Sequence, residues 1–302
     1  MSRSLLLTGG TGFIGNELCP ALTDRGYRLT VLSRQHRSDV MARCGRVDTV
    51  SNLGDLRGHD GFDGVINLAG EGIAGGRWSA RRKQLLRESR IDLTRTLIDT
   101  CRQFKRLPSV LVSGSAVGFY GDQGQNPVDE YTEPHNEFTH QLCRDWEEAA
   151  LALKADDVRV CLSRTGVVAG PGGGFLQQML LPFRLGLGGR LGSGNQYMPW
   201  VHRTDVVKSL IWMLESETAS GPYNVVSPNP VTNTELTKTL GKVLGRPIWL
   251  PAPRLALKVG LGEMSRLLLT GQRARPRRLS EAGFTFRYPH LEDALRDSVK
   301  PR

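Results

Sequence analysis

Cysteine is scarce in this chain of 302 residues and forms no pattern. Cys19, Cys44, Cys101, Cys143 and Cys161 are widely spaced and odd in number, and no C-x-x-C occurs. A disulfide framework and a zinc site are therefore excluded as expectations, no metal is called for, and a reducing cytoplasm fits best. Long apolar runs are also missing. Nothing reaches the length that spans a bilayer, and the opening MSRSLLLTGG is too short in apolar residues for a signal peptide, so a soluble protein with no membrane partner is expected. Aromatics make up only 7% of the residues, although Lys and Arg exceed Asp and Glu by ten and the pI is near 9.7. Such a balance attracts anions, but the two dense basic clusters, Arg77–Arg90 and Arg273–Arg278, lack the interleaved aromatics on which bases stack. Nucleic acid is not an expected partner.

What is present is an alternation of short apolar runs and helical patterns. Ser4–Thr8, Arg28–Ser33, Gly64–Ala69, Ser109–Ser113 and Val158–Arg164 read as strands, almost continuously apolar as parallel strands covered on both faces are. Ile14–Asp24, Ser79–Phe104 and Thr139–Lys154 read as helices between them. The order predicts an α/β fold with a doubly wound parallel sheet. We expect a dinucleotide-binding domain over 1–170, its sheet completed by 201–228 with a helix at Thr204–Glu215 and a strand at Tyr223–Ser227. A glycine-rich closing loop is expected over 171–200, and a smaller, mainly helical C-terminal substrate or cap region over 229–302.

The sharpest motif is SLLLTGGTGFIG at 4–15. Gly10-Thr11-Gly12-Phe13-Ile14-Gly15 satisfies G-x-G-x-x-G, and Gly9, Gly12 and Gly15 satisfy the wider G-x-x-G-x-x-G. An apolar strand runs into it and an amphipathic helix runs out. Backbone N–H groups at that helix start are then poised for a pyrophosphate. At the end of the second strand, where NAD-selective sites carry an acid, the chain has Ser33 and Arg34, with Arg37 close behind. A hydroxyl and a guanidinium suit a 2′-phosphate, which makes NADP the expected cofactor.

TGGTGFIG, NLAG at 67–70, VSGSAVGFYGD at 112–122 and WVHRTDVV at 200–207 together resemble the extended short-chain dehydrogenase/reductases. GFIGNEL, NLAGE, HNEFTH, LPFRLGLGG and GQRARPRRL resemble an atypical branch, the epimerase family proteins, over essentially the whole chain. The resemblance implies a Rossmann fold with NADP bound. It implies that Leu68, Ala69 and Gly70 pass beside the cofactor ribose, that Val167 and Val168 lie along the nicotinamide, and that Ser115, with Ser113 as the nearby alternative, is the catalytic serine. Arg90 falls where typical members place an asparagine of the proton relay. It supplies a fixed positive charge near cofactor phosphate or substrate, or else is a solvated helix residue.

The departure is at 138–148, FTHQLCRDWEE. Typical members place a tyrosine there as proton donor, with a lysine four residues on that lowers its pKa. None of the six tyrosines in this chain has a lysine four positions later, and the alignment puts Thr139 and Cys143 in the two places. Tyr120, His140, Glu137 and Cys143 are the replacement donors to consider. Gln196, Trp200 and His202 are candidate ligand contacts in the closing part, and Arg184 and Arg190 would suit an acidic or phosphate-bearing substrate. The expected function is an NADP(H)-binding oxidoreductase or epimerase-like enzyme. Its substrate would be a small molecule, with a sugar nucleotide in view, and its proton donor non-standard. The alternative is a non-catalytic NADP(H)-binding regulator or partner-binding protein. Monomer and homodimer both stay open.

Overall fold

The computed structural model describes residues 3–300. Seven parallel strands form one sheet: β1 (Ser4–Thr8), β2 (Arg28–Leu32), β3 (Asp48–Val50), β4 (Gly64–Asn67), β5 (Val110–Ala116), β6 (Arg159–Thr165) and β7 (Gly221–Val225). Their spatial order is β7-β6-β5-β4-β1-β2-β3. The order reverses at β1, between β2 and β4, which is where doubly wound sheets open a ligand crevice beyond their carboxyl ends.

Successive side chains of a strand face opposite ways, and here both ways are core. Leu5 and Leu7 pack with Leu18 and Leu22 of α1 (Gly15–Thr23), Val40 of α2 (Arg37–Cys44) and Leu210 of α7 (Arg203–Glu215). Leu6 between them packs with Leu97 of α4 (Leu93–Cys101) and Ala150 of α5 (Phe138–Leu151) on the other face. β3, Asp-Thr-Val, is too short and polar to stand out in the sequence, and α2 carries too many charges. Both were outside the expected elements.

Two expected elements take a different form. The helix expected over Ser79–Phe104 is α3 (Ala80–Arg87) and α4 joined by a π-turn at Glu88–Asp92 that carries Arg90. The extra residue in such a turn re-aims the side chains after it. The stretch expected as a closing loop holds a helix, α6 (Gly174–Arg184). The glycines of PGGG and GLGG mask an apolar stripe in which Leu176, Leu180 and Phe183 are buried against Leu236 and Leu240 of α8 (Asn233–Leu244) and Leu291 and Leu295 of α12 (Leu291–Ser298).

The C-terminal region adds α9 (Arg254–Leu261), α10 (Arg266–Leu269) and α11 (Arg277–Glu281). It is tied back to the sheet domain by a short parallel pairing of Arg273–Ala274 with Pro127–Val128. The Glu130 carboxylate joins the two parts further, accepting from the Asn224 and Arg278 backbone N–H groups. No helix among the described residues is long and apolar enough to cross a membrane.

Candidate active site

The turn from β1 into α1 is a structure only glycine permits. Gly9 has φ +73°, and a Cβ on it would lie 2.7 Å from the Leu68 carbonyl carbon; a Cβ on Gly15 would lie 2.3 Å from the Gly9 oxygen. Thr8 ties the neighbouring strand ends together by donating to Asn67 Oδ1 (2.7 Å) and accepting from the Ala69 N–H (3.1 Å). Beyond this edge lies a cleft of about 570 Å³, walled by Gly9, Thr11 and Gly12, by Ser33 and Arg34, and by Leu68, Ala69 and Gly70. Gly10, Phe13, Ile14 and Gly15 shape the turn from behind. Gly10 faces Val31 and Cys19, Phe13 packs against Gly173 and Gly174 and lies under the Arg203 guanidinium, and Ile14 joins the core. Arg34 is exposed at the rim and has no ion pair among the described residues.

The segment 68–75 leads from this cleft into a second cavity of about 510 Å³. One side of that cavity is Thr165 to Val168 and another is Ala116 to Gly118. Phe138, Thr139 and Cys143 reach it from α5, Trp78 from just before α3, Phe175 from α6, and Arg266 to Leu268 from α10. Glu137 accepts from the Thr139 hydroxyl at 2.9 Å with one oxygen and from Arg266 Nε at 3.0 Å with the other. Tyr197 is also in the wall. Its ring carries the Arg273 guanidinium at 5.3 Å, and its hydroxyl makes no hydrogen bond among the described residues.

Ser115 and Tyr120 stand behind this wall. The Ser115 hydroxyl donates to Glu147 Oε1 at 2.6 Å, and Glu147 takes two further bonds of 2.8 Å from the Arg164 guanidinium. Arg164 Nη1 donates to the Tyr120 hydroxyl at 3.0 Å, which in turn donates to Asn224 Oδ1 at 2.7 Å. All five side chains are buried. Burial pushes the Tyr120 phenol up to about 12, outweighing the Arg164 charge beside it. Burial also works against the Arg164 cation, but the Glu147 carboxylate more than offsets it and the guanidinium is held firmly charged. Ser113 is deeper still, within reach of the Asn67 amide at 3.4 Å.

Cys143 reaches the cavity as a neutral thiol. Burial pushes it up to about 12, with the Glu147 charge adding and Arg90 opposing. Arg90 itself lies beneath the 68–71 turn, donating to the Glu71 carbonyl at 2.7 Å and covering the Trp146 ring at 5.3 Å. Its guanidinium is 3.1 Å from where a Gly70 Cβ would be, so it props the turn and is no solvated side chain. His140 turns from the cavity to the Phe119 carbonyl, 2.7 Å from Nδ1. Gln196, Trp200 and His202 are buried at the seam with the C-terminal region. Gln196 donates to the Leu268 carbonyl, Trp200 to the Asn229 carbonyl, and the His202 ring packs against Tyr288 at a tilt of 44°. Arg184 and Arg190 are exposed and wall neither cavity.

The sequence model of the NAD dependent epimerase/dehydratase family matches residues 5–226, and that of a domain of unknown function, DUF1731, matches 252–298. The chain belongs to this family. Epimerase family protein YfhF of Bacillus subtilis is 36% identical over 301 residues, covering 99% of each chain. Among solved structures, human epimerase family protein SDR39U1 (isoform 2), crystallised with NADPH, superimposes with a TM-score of 0.88 at 34% identity, covering 97% of this chain and 98% of that one. A nucleoside-diphosphate sugar epimerase from Corynebacterium glutamicum superimposes with a TM-score of 0.79 at 28% identity, over 99% of this chain and 58% of that one.

For this epimerase family chain, sequence reasoning overlooked Glu147, the buried partner of both Ser115 and Arg164. A signal was available. Thr139, Cys143 and Glu147 follow one another at four-residue steps, which puts them on one face of α5. Tyr197, Phe175 and Arg266 gave no such signal, because they arrive from elements whose folding back onto the sheet domain is not written in any local pattern.

Proposed function

We propose that the chain is an NADP(H)-dependent oxidoreductase or epimerase-like enzyme acting on a small molecule. The observation that carries this reading is the continuity of 68–75, which walls both cavities. A dinucleotide seated on the glycine turn directs its far end into the second one. The donor set suits the group. Gly9, Thr11 and Gly12 leave backbone open to phosphates at the start of α1, and Ser33 with the unpaired Arg34 answers a 2′-phosphate. NADP, when bound, supplies or accepts a hydride at its nicotinamide ring. Val167 and Val168 give that ring an apolar wall, and the small, neutral Cys143 lets it pack closely. Ser115 and Tyr120 act as positioning residues, holding the end of β5 through Glu147 and Arg164. Proton exchange with the substrate oxygen then falls to the wall groups Tyr197 and Glu137.

NADPH fluorescence and turnover against a panel of carbonyl compounds test this. The expected result is turnover that Tyr197→Phe lowers at least about tenfold with NADPH affinity unchanged, the loss of one general acid. One observation favours the second reading, a non-catalytic NADP(H)-binding protein: the Ser115 hydroxyl is committed to Glu147 within the fold. NADPH binding with no hydride exchange across the panel would establish that reading instead.

A further inference from the structure

The second cavity has a chemical character that neither the family nor its relatives' names assign. Its charged wall groups are Glu137, Glu263 and Arg266. The one guanidinium among them is engaged by Glu137, while Glu263 is paired at 2.7 Å with Lys83, whose ammonium lies 4.6 Å over the Phe138 ring. Arg90 and Arg273 lie near but outside the wall, the first bound to the Glu71 carbonyl and the second over the Tyr197 ring. Among the described residues no unpaired cation therefore faces the space, since each of its carboxylates is already matched by a cation. A diphosphate entering it would lose water and find no unpaired cation in return, which is strongly unfavourable. The rest of the wall is largely apolar and aromatic, led by Ile73, Trp78, Phe138, Phe175 and Leu267, and the side chains of Thr139, Thr165, Thr270 and Gln272 are already hydrogen-bonded within the fold. The Tyr197 hydroxyl and the Gln178 amide are wall groups that make no hydrogen bond among the described residues.

We infer that this cavity takes an uncharged, largely apolar ring compound bearing a carbonyl or hydroxyl oxygen, and that it does not take a sugar nucleotide. The volume of about 510 Å³ lies in the range of small-molecule sites and is shared between this compound and the nicotinamide end beside Val167 and Val168. The apolar walls bury the rings, and Tyr197 or Gln178 meets the single oxygen. The inference rests on the proposed NADP(H)-dependent chemistry for its meaning, though not for its test.

The test uses Nile red bound to the full-length protein, displaced by α-tetralone, by a carboxylated tetralone or by UDP-glucose, with and without NADPH. We expect α-tetralone to displace the dye at about tenfold lower concentration than its carboxylated analogue, the penalty of bringing in one unpaired charge. UDP-glucose should leave the dye in place. Phe175→Ala should weaken α-tetralone, and Gln178→Lys, at an exposed position of the wall, should narrow the gap to the carboxylated analogue by supplying a cation. Tighter binding of UDP-glucose or of the carboxylate overturns the inference, and so does displacement by none of the three. A separate NADPH titration by fluorescence reads the cofactor assignment. Its failure beside the expected displacement order would sink the cofactor and spare the cavity.

Discussion

Arg34 is a single exposed guanidinium, yet in the proposed reading it decides between two cofactors that differ by one phosphate. A charge-assisted hydrogen bond contributes about 1.5–3 kcal/mol, so Arg34→Ala should cost NADPH at least about tenfold in affinity and leave NADH nearly unchanged. Fluorescence titration of both nucleotides checks it; an unchanged ratio would move the 2′-phosphate elsewhere. Glu147 is the opposite kind of residue, one that is almost wholly buried and serves two partners. Its removal strands the Arg164 cation in the interior. Breaking such a pair costs about 3–5 kcal/mol, so Glu147→Ala should lower the thermal midpoint by many degrees, as calorimetry would show. The place of Arg34 at the cleft rim was legible in the sequence because it follows from chain distance to the glycine turn. Glu147 was legible only as a member of the Thr139, Cys143 and Glu147 face of α5, and its pairing was not, because that depends on Arg164 of β6, which no local pattern of the helix reveals.

Among elements, the β1 to α1 turn was the most readable, since its glycines are demanded by backbone geometry that any sequence forming that turn must satisfy. A methyl group on Gly15 would lie within 2.4 Å of both the Gly9 and Gly10 oxygens. Gly15→Ala should therefore abolish nucleotide binding and destabilise the fold, checked by NADPH titration beside thermal melting. A variant that binds normally would show that the turn yields more easily than its contacts imply. The π-turn at Glu88–Asp92 and the helix within 171–200 were harder to foresee. One needs an extra residue that no periodicity reveals, and the other is stabilised by tertiary burial of Leu176, Leu180 and Phe183 in a segment whose glycines argue locally for a loop.

At the scale of the whole molecule, the seam between the sheet domain and the C-terminal region contains a titratable group. His202 is buried against Tyr288 with Asp297 Oδ2 3.3 Å from its Nε2, and burial holds its pKa below the ordinary imidazole value despite that carboxylate. The unfolded chain thus takes up the proton first as pH falls. Stability should be complete above about pH 6.5, the unperturbed histidine value, and decline below it. His202→Gln should flatten that decline in chemical denaturation measured between neutral and mildly acidic pH; an unaltered slope would assign it to other groups. The doubly wound parallel plan was legible in the alternating apolar runs, but the spatial order of the strands, with β3 at one edge, was not. The way the last third folds back to wall the cavity did not, because it depends on contacts such as Glu137 with Arg266, which join distant parts of the chain.

Gly118 sets the spacing on which the missing dyad turns. A Cβ there would lie 3.2 Å from the Thr139 Cβ and 3.7 Å from the Cys143 sulfur, so α5 rests almost directly on the backbone that follows β5. The absence of tyrosine and lysine is therefore a matter of room as well as residue type. Grafting the pair as Thr139→Tyr with Cys143→Lys would need the helix to retreat, and a helix that retreats draws Glu147 away from Ser115 and Arg164. The ordinary proton donor and the buried ion pair are thus competing solutions for the same interval between helix and strand, and this chain has settled on the second.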